Sequence, residues 1–122
     1  MRRRSQTTLA IPWRMALFPS GEDWAEARRS AELATSGHED MHAGELETSI
    51  LLHANPELVR DGYQSADWVA DDRRHLLTTG MGEYTRSGVI GRPSLGSAEK
   101  GKALLASLVG SFASVLEILR RG

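Results

Sequence analysis

The apolar positions of this chain recur with two different periods, and the longer one dominates its second half. Leu104, Leu105, Leu108, Phe112, Val115, Leu116 and Leu119 form one stripe at 3.6-residue spacing, which predicts a long amphipathic helix. Ser97 is placed to cap its start, and Arg120-Arg121 suits the negative potential of its end. Gly101 and Gly110 each weaken such a helix by about 1 kcal/mol relative to Ala, which points to close packing against a neighbour. Trp24, Ala27, Ala31 and Ala34 predict an earlier helix. It starts at Ser20 or Gly21, carries Glu22 and Asp23 in its first turn, and is closed by Gly37. A third helix is predicted from about Gly44 to Ala54, with Leu46, Ile50 and Leu51 as its apolar stripe and Asn55-Pro56 as its stop. The segment Arg14-Met15-Ala16-Leu17-Phe18 reads as a short buried strand ended by Pro19, and Val89-Ile90 as a short strand or loop segment. Residues 57–87 show no sustained period; Gly80, Gly82 and Gly88 mark a loop-rich stretch with one helical turn at Glu83–Arg86. Asp71-Asp72-Arg73-Arg74 reads as a solvated turn rather than a site.

Composition narrows the class without naming it. With 122 residues, 40% of them hydrophobic and 25% charged, the chain is sized for one globular domain. A net charge of −1 supplies no basic field, and Trp13, Trp24 and Trp68 do not interleave with basic residues, so no nucleic acid partner is expected. Cysteine is absent, which excludes disulfides and thiolate metal sites. No uninterrupted apolar run approaches the ~20 residues of a bilayer span, so no membrane is expected. The basic start Met1-Arg2-Arg3-Arg4-Ser5 is followed only by Leu9-Ala10-Ile11 before Pro12, too short for an export signal. Residues 1–13 are therefore expected to be a disordered basic tail, 14–122 the domain, and the location cytoplasmic.

The chemistry is concentrated in one place. His38-Glu39-Asp40-Met41-His42-Ala43-Gly44-Glu45-Leu46-Glu47 holds two histidines and four carboxylates within ten residues. On one continuous helix His42 and Glu47 would lie ~140° apart. For both to serve one site the helix must begin after His42, and Gly44 permits such a late start. An imidazole titrates near neutrality and can pass a proton to a leaving amine, so His42 reads either as a helix-capping or loop histidine bonded locally or as a catalytic or substrate-contacting group. Asp40 either orients His42 as a supporting carboxylate or is a solvated residue of the lead-in loop. Glu45 is expected at the surface, and His53 and His75 as structural or exposed residues. Arg92 either binds substrate or another subunit, or forms a structural ion pair.

The string His42-Ala43-Gly44-Glu45-Leu46-Glu47-Thr48-Ser49 followed by Ile50-Leu51-Leu52 and Pro56-Glu57-Leu58-Val59-Arg60 resembles the C-terminal signature of the creatininase (creatinine amidohydrolase) family. Gly88-Val89-Ile90-Gly91-Arg92-Pro93 and Ser97-Ala98-Glu99-Lys100-Gly101 resemble that family's next segment, and the likeness runs from about Arg14 to the C-terminus. The resemblance implies a three-layer α/β domain, of which this chain would be a helix-rich C-terminal part. It implies a two-metal site, zinc or manganese, hydrolysing amide-type C–N bonds of a small cyclic or short substrate. In that setting His42 is catalytic, Glu47 a metal ligand, and Asp40 and Glu45 are candidates to support them. The family's upstream ligand motifs, a Glu-x-His pair, a bridging Asp and an Asn-Gly-His-Gly-Gly-Asn loop, are not in this sequence, whose only asparagine is Asn55. The isolated chain is therefore expected to bind metal weakly or not at all and to be inactive, with a missing N-terminal half or further copies of itself as partner. The alternative is a non-catalytic fragment acting as an assembly or interaction module through the Leu104–Leu119 stripe.

Overall fold

A computed structural model describes residues 13–121. The tail expected at 1–13 falls outside them except for Trp13. Helix α1 spans Gly21–Ser30 and α2 spans Glu45–Ala54. A single turn, α3, covers Leu76–Thr79, and α4 runs the 23 residues Ala98–Arg120. Short 3-10 turns sit at Pro56–Leu58, Tyr63–Ser65, Met81–Glu83 and Pro93–Leu95.

Local chemistry explains the boundaries. Ser20 accepts from the Asp23 backbone N–H while the Asp23 carboxylate reaches back to Ser20, a reciprocal box that starts α1 as expected. The end of α1 differs from expectation. It stops at Ser30 because Glu32 turns left-handed (φ 54°), with Leu33 N–H donating to Arg28 O and Glu32 N–H to Arg29 O. Glycine usually takes that closing position, so the sequence offered no signal there, and Ala34 continued the helical spacing only by chance. Ser97 caps α4 as predicted, accepting from Lys100 N–H at 3.1 Å. The helical turn expected at Glu83–Arg86 lies earlier, at Met81–Glu83.

The core is built where α4 crosses the other two long helices. Ala27 and Ala31 from α1 and its cap, Leu46 from α2, and Leu104 and Leu108 from α4 are buried together, flanked by Phe18, Trp24, Leu33, Ile50 and Ala103. α2 lies so close on α4 that a Cβ on Gly101 would stand 1.9 Å from Ser49 O. The expected reason for Gly101 therefore holds. Gly110 faces open space, so close packing does not explain it.

Among the described residues there is no strand beyond two isolated antiparallel bridges, His42 with Ile90 and Trp68 with Gly91. The segment 14–18 expected as a buried strand is exposed over Arg14–Leu17 and forms no strand, because among the described residues no neighbouring strand hydrogen-bonds it. α4 is long and apolar enough to cross a bilayer by length and composition, and little of it is buried. Ser107, Gly110, Ser111 and Ser114 break any continuous apolar run without making the helix hydrophilic.

Candidate functional site

The loop entering α2 is fixed by the carboxylate of Asp40. Its Oδ1 accepts from Glu45 N–H at 2.6 Å and its Oδ2 from Leu46 N–H at 3.0 Å, while Arg28 Nη2 donates to Oδ2 at 3.2 Å. Gly44, at the capping position, has no side chain to do this, and Asp40 supplies the cap from four residues upstream. The space is exclusive: a Cβ on Gly44 would lie 1.7 Å from Asp40 Oδ1 and 3.1 Å from Gly91 Cα. Asp40 is thus committed to the helix N-terminus and to Arg28. The atom that orients His42 is the Gly88 carbonyl, 2.7 Å from His42 Nδ1.

A carbonyl only accepts, so Nδ1 carries the proton and, in the neutral ring, Nε2 holds the lone pair. Among the described residues Nε2 makes no hydrogen bond, and the side chain is exposed. The backbone of His42 is pinned as well, exchanging N–H···O bonds of 3.0 Å with Ile90 in both directions. The segment 88–91 therefore holds both the ring and the main chain of His42, which is how the two sequence blocks come together.

Helix α2 begins at Glu45, after His42, as the five-residue spacing to Glu47 required. Between them Ala43 adopts φ 54°, a conformation that costs a non-glycine residue ~1–2 kcal/mol. Glu47 holds it there: its Oε2 accepts from Ala43 N–H at 2.8 Å. Glu47 also lines a cleft of about 390 Å³ with Trp24, Arg28, Gly37, Asp40, Met41 and Leu46. His42 does not line that cleft, so the two side chains are joined through Ala43 and not through a shared cavity.

Glu45 is the residue that sequence reasoning misplaced. Expected at the surface, it is fully buried. Its Oε2 takes Lys100 Nζ at 2.6 Å and Ala34 N–H at 3.1 Å, and its Oε1 takes Thr35 N–H at 2.9 Å and Thr35 Oγ1 at 2.8 Å. Burial by itself pushes the carboxyl up, but the hydrogen bonds from Lys100, Ala34 and Thr35 outweigh it and hold Glu45 below its ordinary value. The signal that could have found it is Lys100 in the second block, the only lysine within reach of the signature from α4.

The remaining candidates are structural or solvated. His38 donates Nε2–H to the Asp71 carbonyl at 2.7 Å, and Arg73 Nη2 donates to His38 O at 3.0 Å. The Asp71–Arg74 cluster is thus partly a brace for the site loop, although the Asp72–Arg74 pair within it is exposed. His53 and His75 are exposed. Arg92 is exposed too and forms no ion pair among the described residues, so the structural pairing expected for it is not seen.

The Creatininase family, described as creatinine amidohydrolase, matches residues 1–116. The chain belongs to the creatininase family. A mycofactocin precursor peptide peptidase of Mycobacterium ulcerans (strain Agy99) is 36% identical over 73 residues, 57% of this chain and 29% of that protein. The protein of the same name from Mycobacterium tuberculosis (strain CDC 1551 / Oshkosh) is 34% identical over 77 residues, with the same coverage of each chain. The match thus spans less than a third of the length of these curated relatives. No solved structure matches.

The family is generally metal-dependent. The described residues do not fit such a centre on their own. No group of three or more histidines, aspartates or glutamates among them is arranged to hold a metal ion. Asp40 and Glu45 have both oxygens engaged, Glu47 has one, and His42 has Nδ1 engaged, which leaves His42 Nε2 and Glu47 Oε1 as the donors of the signature. Two donors fall short of the four or more that fix a zinc or manganese ion.

Proposed function

We propose that this chain is the His42-bearing part of an amidohydrolase that cleaves an amide-type C–N bond, with a short peptide as the favoured substrate. The peptide preference comes from the name of the relatives, and family membership supports the hydrolase class. The observation that carries the reading is the held imidazole of His42, with Nδ1–H on Gly88 O and Nε2 exposed and unengaged. When a C–N bond breaks, the departing nitrogen needs a proton. A protonated Nε2 delivers it, and the Gly88 carbonyl keeps the ring in register and stabilises the N–H at the far nitrogen. In this reading Asp40 and Glu45 build the platform, and Glu47 sets the backbone turn that presents His42. The complete domain is a three-layer α/β structure, and its zinc or manganese is held mainly by residues outside this chain. The chain alone is inactive.

The test uses this chain assembled with the part of the M. tuberculosis relative that lies outside the matched segment, assayed on creatinine and on short peptides. His42→Ala is expected to lower turnover by ~10²–10⁴-fold with an unchanged circular dichroism spectrum. Hydrolysis that survives this substitution would remove His42 from the reaction. A second reading, a non-catalytic module, is favoured by one observation, the uncovered C-terminal half of α4, where Val109 is 72% exposed and no residue beyond Leu108 is buried.

A further inference from the structure

Thr85 is buried, alone among residues 56–87, and its hydroxyl bonds in both directions. It donates to Val89 O at 2.7 Å and accepts from Gly88 N–H at 3.2 Å. Both partners lie in the segment that carries His42. Gly88 itself has φ 94°, in the left-handed region that glycine enters freely, and its carbonyl ends on His42 Nδ1. The main-chain polar groups of Gly88, Val89 and Ile90 can be followed one by one. Three of the six meet His42: Gly88 O at the ring, and Ile90 N–H and Ile90 O at the backbone. The other three go to two hydroxyls, Gly88 N–H and Val89 O to Thr85, and Val89 N–H to Ser87 Oγ at 3.1 Å. The peptide plane that offers its carbonyl to His42 therefore has its own N–H on Ser87. The planes on either side of it are both held by Thr85. Trp68 anchors the two ends of the segment, its indole N–H donating to Tyr84 O at 2.6 Å and its backbone exchanging bonds with Gly91.

What this fixes is the tautomer of a ring. An imidazole that gives up a proton from Nε2 is left with its remaining proton on Nδ1 and its lone pair at Nε2, ready to be protonated again. A neutral ring of the opposite tautomer would set an Nδ1 lone pair against the lone pairs of the Gly88 oxygen. The carbonyl therefore selects the useful form only while its peptide plane is kept turned toward the ring. We propose that Thr85, with Ser87 beside it, is a positioning residue that sets the tautomer and orientation of His42 through the Gly88 carbonyl. Its bearing on catalysis rests on the reading of His42 as proton donor; its effect on the ring does not.

The test reads the ring directly, by imidazole nitrogen NMR of the full chain at about pH 8.5, where histidine side chains are neutral. The His42 signals are assigned by their loss in His42→Ala. The parent should hold His42 mainly as the Nδ1–H form. Thr85→Val keeps the side-chain shape and removes the hydroxyl, and should lower the ratio of Nδ1–H to Nε2–H about fivefold, the worth of one hydrogen bond. Thr85→Ser should restore the parent ratio, which a merely structural role for the side chain would leave unmoved throughout. The methyl signals of Leu104 and Leu108, buried in the core, report that each variant is folded. Ser87→Ala, at an exposed side chain, should lower the ratio about twofold and is the deciding variant if Thr85→Val does not fold. A parent in the Nε2–H form, a ratio unmoved by the deciding variant, or a fall that Thr85→Ser does not repair would each overturn the proposal. No turnover enters this measurement, so hydrolysis that survives His42→Ala strikes the catalytic reading and leaves the result on the ring as it stands.

Discussion

Glu45 shows how one residue of a catalytic signature can belong to the scaffold. Its carboxylate ties three segments together: the start of α2, the turn at Ala34-Thr35, and α4 through Lys100. Removing it leaves two backbone donors and the Thr35 hydroxyl without their acceptor, and the Lys100 ammonium with the Leu95 carbonyl in place of a carboxylate. Glu45→Ala is therefore expected to destabilise the chain by about 3–5 kcal/mol, measurable by urea unfolding. The same contact makes the fold acid-sensitive. Glu45 sits below its ordinary value in the folded state, so its contribution is complete above that ordinary value of ~4.3 and is lost as pH falls through the lowered one. A Glu45→Gln variant should lose part of this acid dependence below about pH 4, seen as a flatter plot of melting temperature against pH. None of this was legible from the signature itself, because the partners of Glu45 lie 10 and 55 residues away along the chain. The placement of His42 ahead of the helix was legible, since the five-residue spacing to Glu47 admits few other arrangements.

At the scale of elements, sequence pattern served best where one helix makes its own boundaries. The caps at Ser20 and Ser97 and the stop at Asn55-Pro56 are local, and each was readable. The early end of α1 at a left-handed Glu32, and the failure of residues 14–18 to become a strand, were not, because both depend on what the neighbouring chain does. The two glycines of α4 make the distinction testable. Gly101→Ala forces a methyl into Ser49 O and should part α2 from α4, costing more than the ~1 kcal/mol that helix propensity returns. Gly110→Ala meets nothing and should gain about 1 kcal/mol. Thermal unfolding of the two variants beside the parent chain is the check; equal shifts would mean that the α2–α4 contact is looser than described.

For the molecule as a whole, the core is small and one-sided. It occupies the first half of α4, and the second half lies bare. A family that is generally metal-dependent is represented here by a segment with two unengaged donors in its signature. Titration of the isolated chain with zinc or manganese should accordingly give a Kd weaker than about 1 μM, with His42→Ala reducing the affinity further. A stoichiometric site tighter than that would mean that donors such as His38 rearrange to join His42, and that the brace to Asp71 gives way.

The stretch from Pro56 to Ser87 has a further consequence. Of its residues only Thr85 is buried, while the contacts that close the fold join the segment before it to the segment after it: His42 to Ile90, Ser49 to Ser97, Glu45 to Lys100. In connectivity the stretch is a handle and not a hinge. A brief trypsin digest should cut at Arg60 or Arg86 first, and the two fragments should elute together as one particle with the helical signal of the uncut chain. The same logic marks residues 56–66, which precede the Asp67 and Trp68 contacts and the Asp71 and Arg73 brace, as the place where related sequences can lengthen, shorten or be re-joined with new termini while the loop that presents His42 keeps its shape.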